Sequence, residues 1–160
     1  MNTNYSYVNS PAHPGMIADQ APRHVVARIL DEDGKFGIAT IHGATPGRTI
    51  KKPAAGATAA KVEGVILNHG TVEHQHLTGE VALKAGTTCS VMVFGTVWVR
   101  VETGVEPSYG DPCKVLISGD EAGYFTTSET AGTAIDVAGM FLGEVSDGIA
   151  KVKLFDSANG

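Results

Sequence analysis

Apolar residues alternate with polar or small ones at period two along much of this chain, and no stretch forms a convincing amphipathic helix. The strictest alternation runs from Val91 to Glu102. Its odd positions are Val91, Val93, Gly95, Val97, Val99 and Val101; its even positions are Met92, Phe94, Thr96, Trp98, Arg100 and Glu102. Period two places each set on one face of a β-strand. The valine face suits a core. The other face carries the single tryptophan and ends in opposite charges, which predicts a central strand with an adhesive second face.

Shorter segments of the same kind surround it. His24–Leu30 reads as a strand, Asp31–Gly34 as a turn and Phe36–His42 as the return strand of a hairpin. Val62–Asn68, Val81–Leu83, Cys113–Ser118 and Tyr124–Thr127 add further strands, the third entered through the Gly110-Asp111-Pro112 turn. Asp136–Val145 and Ile149–Phe155 flank Ser146-Asp147-Gly148, which predicts a tight hairpin. In the last strand Ala150, Val152 and Leu154 face inward, while Lys151 and Lys153 face outward and discourage edge pairing. Eight or nine short strands predict an all-β fold, a compact antiparallel β-sandwich or barrel of jelly-roll-like character.

Two segments fall outside the alternation. Residues 1–20 hold Pro11 and Pro14, which block a helix, yet Tyr5, Tyr7, Val8, Met16 and Ile17 are too apolar for an inert tail. They form an extended N-terminal arm, either folded back on its own domain or ordering on a neighbouring protein. Residues 21–160 then make a single β domain. Gly43–Lys61 has no stripe and reads as a long loop; Arg48, Lys51 and Lys52 make it the most basic patch of the chain. Such a loop is either solvated or a contact for an acidic partner.

Composition agrees with strands: seventeen valines stand against seven leucines, with twenty glycines and seven prolines. Charged residues make up 18% and the net charge is −5, which argues against nucleic-acid binding. No apolar run approaches the ~20 residues of a membrane helix, so no membrane partner is expected. The N-terminus lacks a basic region followed by an apolar one, so no signal peptide is expected either. Cys89 and Cys113 flank the central strand and are expected as reduced thiols rather than a disulfide.

Catalytic patterns are missing. The sequence has no P-loop, no G-x-S-x-G, no H-E-x-x-H and no Cys-x-x-Cys. His74 and His76 share a face if extended and lie near His69, but a zinc site needs a third ligand, so surface histidines are the default. Asp31 and Asp33 sit in a turn, where they cap backbone, and Glu102 and Glu106 flank a loop as solvated carboxylates. Phe94 and Trp98 suit a sugar or a base, although exposed aromatic faces more often pack on protein. No catalytic residue, metal or cofactor is expected.

Several segments together resemble a known family. The arm ending in PGMIAD, the TIKKPAAGAT loop, the VEGVILN strand and the FGTVWVRVE strand followed by EPSYGDPCKV are similar to tailed-bacteriophage capsid structural cement (head decoration) proteins. The carrying motifs are Gly95–Val99, Gly110–Val115 and Gly148–Leu154. The GTVEHQHLTGE insertion and Cys113 depart from the pattern. The resemblance implies a non-enzymatic virion protein, made in the host cytoplasm and placed on the outer surface of the head. It would bind the assembled major capsid protein, bridge capsomers and form a homo-oligomer, a homotrimer in preference to a homodimer. Tyr5, Tyr7, Met16 and Ile17 become the candidate grip on the capsid. Phe94, Trp98, Arg48, Lys51 and Lys52 are secondary candidates for capsid or oligomer contact. Competing readings are a carbohydrate-binding β-domain using Trp98 and a cysteine- or metal-dependent enzyme.

Overall fold

The strand with the strictest alternation is also the longest, and two bodies share it. The computed structural model describes residues 13–68 and 82–155. Eleven strands follow in order: β1 (His24–Leu30), β2 (Gly34–Lys35), β3 (Ala39–His42), β4 (Thr49–Lys51), β5 (Val62–Ile66), β6 (Ala82–Leu83), β7 (Thr88–Arg100), β8 (Pro112–Leu116), β9 (Phe125–Thr126), β10 (Ala134–Phe141) and β11 (Ile149–Leu154). The one helical element among the described residues is a 3-10 turn at Ala59–Lys61. The fold is all-β, as expected, and its centre is a barrel.

The large sheet runs β1-β4-β3-β5-β7-β11-β10-β8-β9, and β1 also pairs with β7. That extra pairing closes β1, β4, β3, β5 and the first half of β7 into a five-stranded barrel. Its interior is filled by Leu30, Phe36, Ile38, Ile50, Ile66, Leu83, Cys89 and Val91. The second half of β7 continues into the sheet β7-β11-β10-β8-β9. Phe125 then returns to Val101 through a parallel bridge, and the Glu102 amide donates to the Phe125 carbonyl at 2.9 Å. The second sheet therefore curls round on itself. It encloses Val97, Val99, Val115, Phe125, Phe141 and Val152 against Ala39, Val65 and Met92 from the outer wall of the barrel.

A bulge lets one strand serve both bodies. His24 lies opposite Phe94 and Val25 opposite Met92, so Val93 has no partner on β1. The inserted residue reverses the inward parity. Before it, Cys89 and Val91 face the barrel interior and Met92 faces the second core; after it, Val97, Val99 and Val101 face the second core. The single valine face read from the alternation is thus two half-faces in two cores. Gly95 makes the accompanying bend possible. Its φ is +129°, and a Cβ there would lie 2.7 Å from the Arg23 Cβ and 3.0 Å from the Met92 Sδ.

Other local expectations change. β1 and β3 are not a hairpin: β4 lies between them, parallel to β1 and antiparallel to β3. The turn after β1 instead leads to Gly34–Lys35, which pairs with β6. The 43–61 segment is not all loop, because Ile50 is fully buried and its neighbours form β4. Strand β11 pairs with β7 on one side and β10 on the other, so Lys151 and Lys153 occupy the face of an internal strand and guard no edge. The 146–148 hairpin forms as expected. Asp147 and Gly148 both have positive φ, at 53° and 76°, and Ser146 exchanges both backbone hydrogen bonds with Ile149. Cys89 and Cys113 are free and buried in separate cores.

Candidate functional site

β1 covers one edge of β7 only from Thr88 to Phe94. Beyond Gly95 that edge would be open, with β11 on the opposite side. The chain ahead of β1 fills the gap. Gly15 donates to the Trp98 carbonyl at 2.7 Å, Trp98 donates to the Met16 carbonyl at 2.9 Å, and Ala18 donates to the Thr96 carbonyl at 3.0 Å. Ile17 and Val97 form the bridge between them. A short strand added to an exposed edge satisfies the backbone groups there. The described part of the arm is therefore folded back on its own domain, the first of the two arrangements open from the sequence. Tyr5 and Tyr7 lie outside the described residues.

Gly15 locks this arm. Its carbonyl accepts from the Asn68 amide at 2.9 Å, and its φ is +77°. A Cβ there would lie 2.7 Å from both Asn68 N and Ile66 O, which are backbone atoms and cannot swing away. Main chain fixes the arm while its side chains stay outside: Met16 is 43% and Ile17 36% exposed.

The bridge register puts Met16 on the same face as Trp98. Lys151 lies opposite Trp98 across β7 and β11, and its Nζ stands 5.9 Å from the tryptophan ring centroid. The Leu142 amide donates to the Lys151 carbonyl at 2.8 Å and extends the ladder past β10. In the next row Thr96, Lys153, Met140 and Pro112 are successive partners. The outer face of the second sheet thus carries Met16, Trp98, Met140, Leu142 and Pro112, partly or largely exposed, with two lysines at its middle. Phe94, at the edge of this face, is half-buried and stacks on His24 with ring centroids 6.0 Å apart.

Beyond β10 lies a side chain that sequence reasoning did not single out. Tyr109 is 72% exposed, the most exposed large hydrophobic residue described. Its turn is held firmly: the Ser108 amide donates to the Asp111 carboxylate at 2.8 Å, the Gly110 amide to the Phe141 carbonyl at 2.8 Å, and Pro107 is buried. An aromatic residue between Pro107 and Gly110 was the available signal, since a turn offers its side chain no core to enter.

The structure does not bring Arg48, Lys51 and Lys52 to this face. They sit on and just before or after β4, on the barrel wall, with β1 between β4 and β7. The carboxylates that follow β1 bond the backbone and a hydroxyl of the same segment. Asp31 accepts from the Ala44 amide and the Thr49 hydroxyl, and the Lys52 amide donates to Glu32 at 3.0 Å. The patch that looks basic in the sequence is mixed in charge.

A groove of about 550 Å³ opens between the 3-10 turn, β5 and β10, lined by small side chains with Phe125, Leu154 and Phe155. Its Glu63 is already engaged by Arg28 at 2.6 Å and His42 at 3.0 Å. It has no nucleophile beside a base. Burial pushes the Cys89 thiol up to about 11 and the Cys113 thiol up to about 12, so neither is a thiolate at neutral pH. Among the described residues no group of three or more His, Cys, Asp or Glu is placed to hold a metal. His69, His74 and His76 lie outside them.

Among curated proteins, none matches the sequence significantly. The fold is shared with a chain from the structure titled "The capsid of Myoviridae Phage XM1": TM-score 0.76 and 20% identity, over 98% of this chain and 99% of that one. The profile of the structural cement protein family (E217 gp24/Pam3 gp6) matches residues 1–155. With the family profile spanning nearly its whole length, the chain belongs to the phage structural cement proteins, a family of structural components of the capsid.

Proposed function

We propose that this protein binds the assembled major capsid protein on the outer surface of the phage head and bridges neighbouring capsomers. Family membership supports the capsid role. The observation that carries the reading to particular residues is the arm, whose backbone is locked to β7 while the side chains of Met16 and Ile17 stay partly exposed. Such an arm needs little further ordering on contact, so less of its contact energy is lost to entropy. Tyr5 and Tyr7 extend the same grip. A ligand that binds only the assembled shell stabilises that shell by mass action, and an oligomer touching several capsomers multiplies its hold through effective concentration. The homotrimer remains the favoured oligomer. The protein acts without catalysis, cofactor, nucleic acid or membrane.

A carbohydrate-binding domain using Trp98 ranks as the second reading, because a sugar stacking there would first have to displace Lys151, whose Nζ stands 5.9 Å from the ring centroid. The test is co-sedimentation with expanded heads of the cognate phage. Wild type is expected to pellet with heads and to raise their resistance to heat. Met16→Asp with Ile17→Asp is expected to weaken binding by about tenfold or more, since charge replaces exposed apolar contacts at the centre of the grip. Wild-type protein that stays in the supernatant at all concentrations overturns the reading.

A further inference from the structure

Around the second sheet two groups of like charges lie apart from each other. Three turns, at 102–111, 119–123 and 143–148, contain seven carboxylates and no lysine or arginine. They gather at one end of the second sheet. The Thr103 amide and hydroxyl donate to Glu121, the Thr126 hydroxyl donates to Glu102, and the Val101 amide donates to the Gly148 carbonyl. Within this end, Glu106, Asp120, Glu144 and Asp147 are exposed. Tyr109 stands out from the same turns at 72% exposure. At the middle of that sheet's outer face, on β11, the charge is the opposite. Lys151 and Lys153 have no carboxylate partner among the described residues, whereas Lys114 on the same sheet is paired with Asp136 at 2.7 Å. Around the two lysines lie Trp98, Met140 and Leu142.

We infer that this lysine-bearing face receives the acidic turn end of a second copy of the chain, with Tyr109 as the aromatic anchor, so that copies join head to tail. Both halves of the contact are present on every copy. Lysines meet carboxylates, and an exposed tyrosine on a fixed turn meets an apolar surface with a cation at its centre. A twofold contact through either surface alone is disfavoured, because it places lysines against lysines or carboxylates against carboxylates. A contact between two different patches repeats from copy to copy, and closes into a ring when the rotation allows. That is the geometry a trimer needs. The inference rests on the oligomer part of the proposed function and does not require the capsid.

The experiment uses the purified full chain in sedimentation equilibrium, at about 0.05 M and about 0.5 M salt, a range over which exposed charges pass from weakly to strongly screened. Wild type is expected to self-associate, and about tenfold more weakly at the higher salt. Lys151→Glu with Lys153→Glu, and separately Glu106→Lys with Glu144→Lys, are each expected to weaken association by about tenfold or more. All four changes on one chain are expected to restore it. Tyr109→Ala, in an exposed turn, is expected to weaken association while leaving the melting temperature unchanged. A wild type that remains monomeric, a charge-reversed pair that associates like wild type, or a fourfold variant that stays apart overturns the inference. So does a Lys151/Lys153 variant that loses capsid binding but keeps its oligomer, which would assign the face to the capsid. Failure of wild type to bind heads while association keeps this charge pattern overturns the capsid reading alone.

Discussion

Replacing Gly15 by alanine tests whether the arm is held by its main chain. The glycine adopts φ +77°, a region that costs an L-residue roughly 1–2 kcal/mol. The new methyl group would sit 2.7 Å from two backbone atoms, Asn68 N and Ile66 O, and 3.1 Å from Gly37 N. Relief requires the arm to lift, which breaks the bonds from Gly15 to Trp98 and from Asn68 to Gly15. Two lost hydrogen bonds add about 0.5–1.5 kcal/mol each. Together the penalty is about 2–5 kcal/mol, comparable with what four backbone hydrogen bonds contribute to holding the arm. Neither core contains a described arm residue, so the domain itself is expected to stay folded. The direct assay is amide hydrogen exchange. The Trp98 amide, which donates to Met16, is expected to lose protection by about 30-fold or more, since each 1.4 kcal/mol is a factor of ten. Amides between β7 and β11 are expected to keep theirs. Head binding is expected to fall with the arm. A Gly15→Ala protein whose Trp98 amide exchanges as slowly as in wild type refutes the lock.

Two further outcomes follow from the cores. Phe125 is fully buried where the second sheet curls back on Val101, and truncation to alanine is expected to cost about 3–5 kcal/mol, lowering the melting temperature by about 6–20 °C in calorimetry. The buried thiols make stability depend on alkaline pH. Both hold their protons more tightly folded than unfolded, with pKa values raised from 9.0 to about 11 for Cys89 and about 12 for Cys113. Their contribution is intact below pH 9 and is lost as pH rises through the folded values. Melting temperatures measured at increasing alkaline pH are expected to decline, and the decline is expected to shrink in the double variant Cys89→Ala, Cys113→Ala.

Strands whose alternation reports a local choice were legible from the sequence. His24–Leu30 is β1 residue for residue, and the Asp147-Gly148 turn forms where acid and glycine call for positive φ. The errors lie where pairing is non-local. Strand β4 is three residues long with one buried side chain, Ile50, and nothing local distinguishes it from the loop around it. It exists because β1 and β3 offer it edges. The bulge at Val93 was hidden for the opposite reason, since the apolar alternation continues straight through it. Only pairing with β1 shows that the inward set has changed. For the site, the apolar arm was readable from its tyrosines, Met16 and Ile17, but its backbone lock on β7 was not. The face around Trp98 depends on which strands are neighbours. Charge misled most: Arg48, Lys51 and Lys52 stand out along the chain, while Asp31 and Glu32, which bond the same segment, come from the end of β1.

The common strand β7 also sets how the protein responds to load. The arm lies antiparallel along it, so tension drawn through the arm acts lengthwise on the bonds at Thr96 and Trp98, in shear, rather than opening them one after another like a zip. On the far side of the same residues, β11 is paired from Gly95 to Arg100 and takes up that force. Toward its other end, β7 is gripped by β1 and β5. A tug on the exposed arm is therefore spread through a thirteen-residue beam anchored in both bodies, and the joint at Gly95 is where that beam can flex.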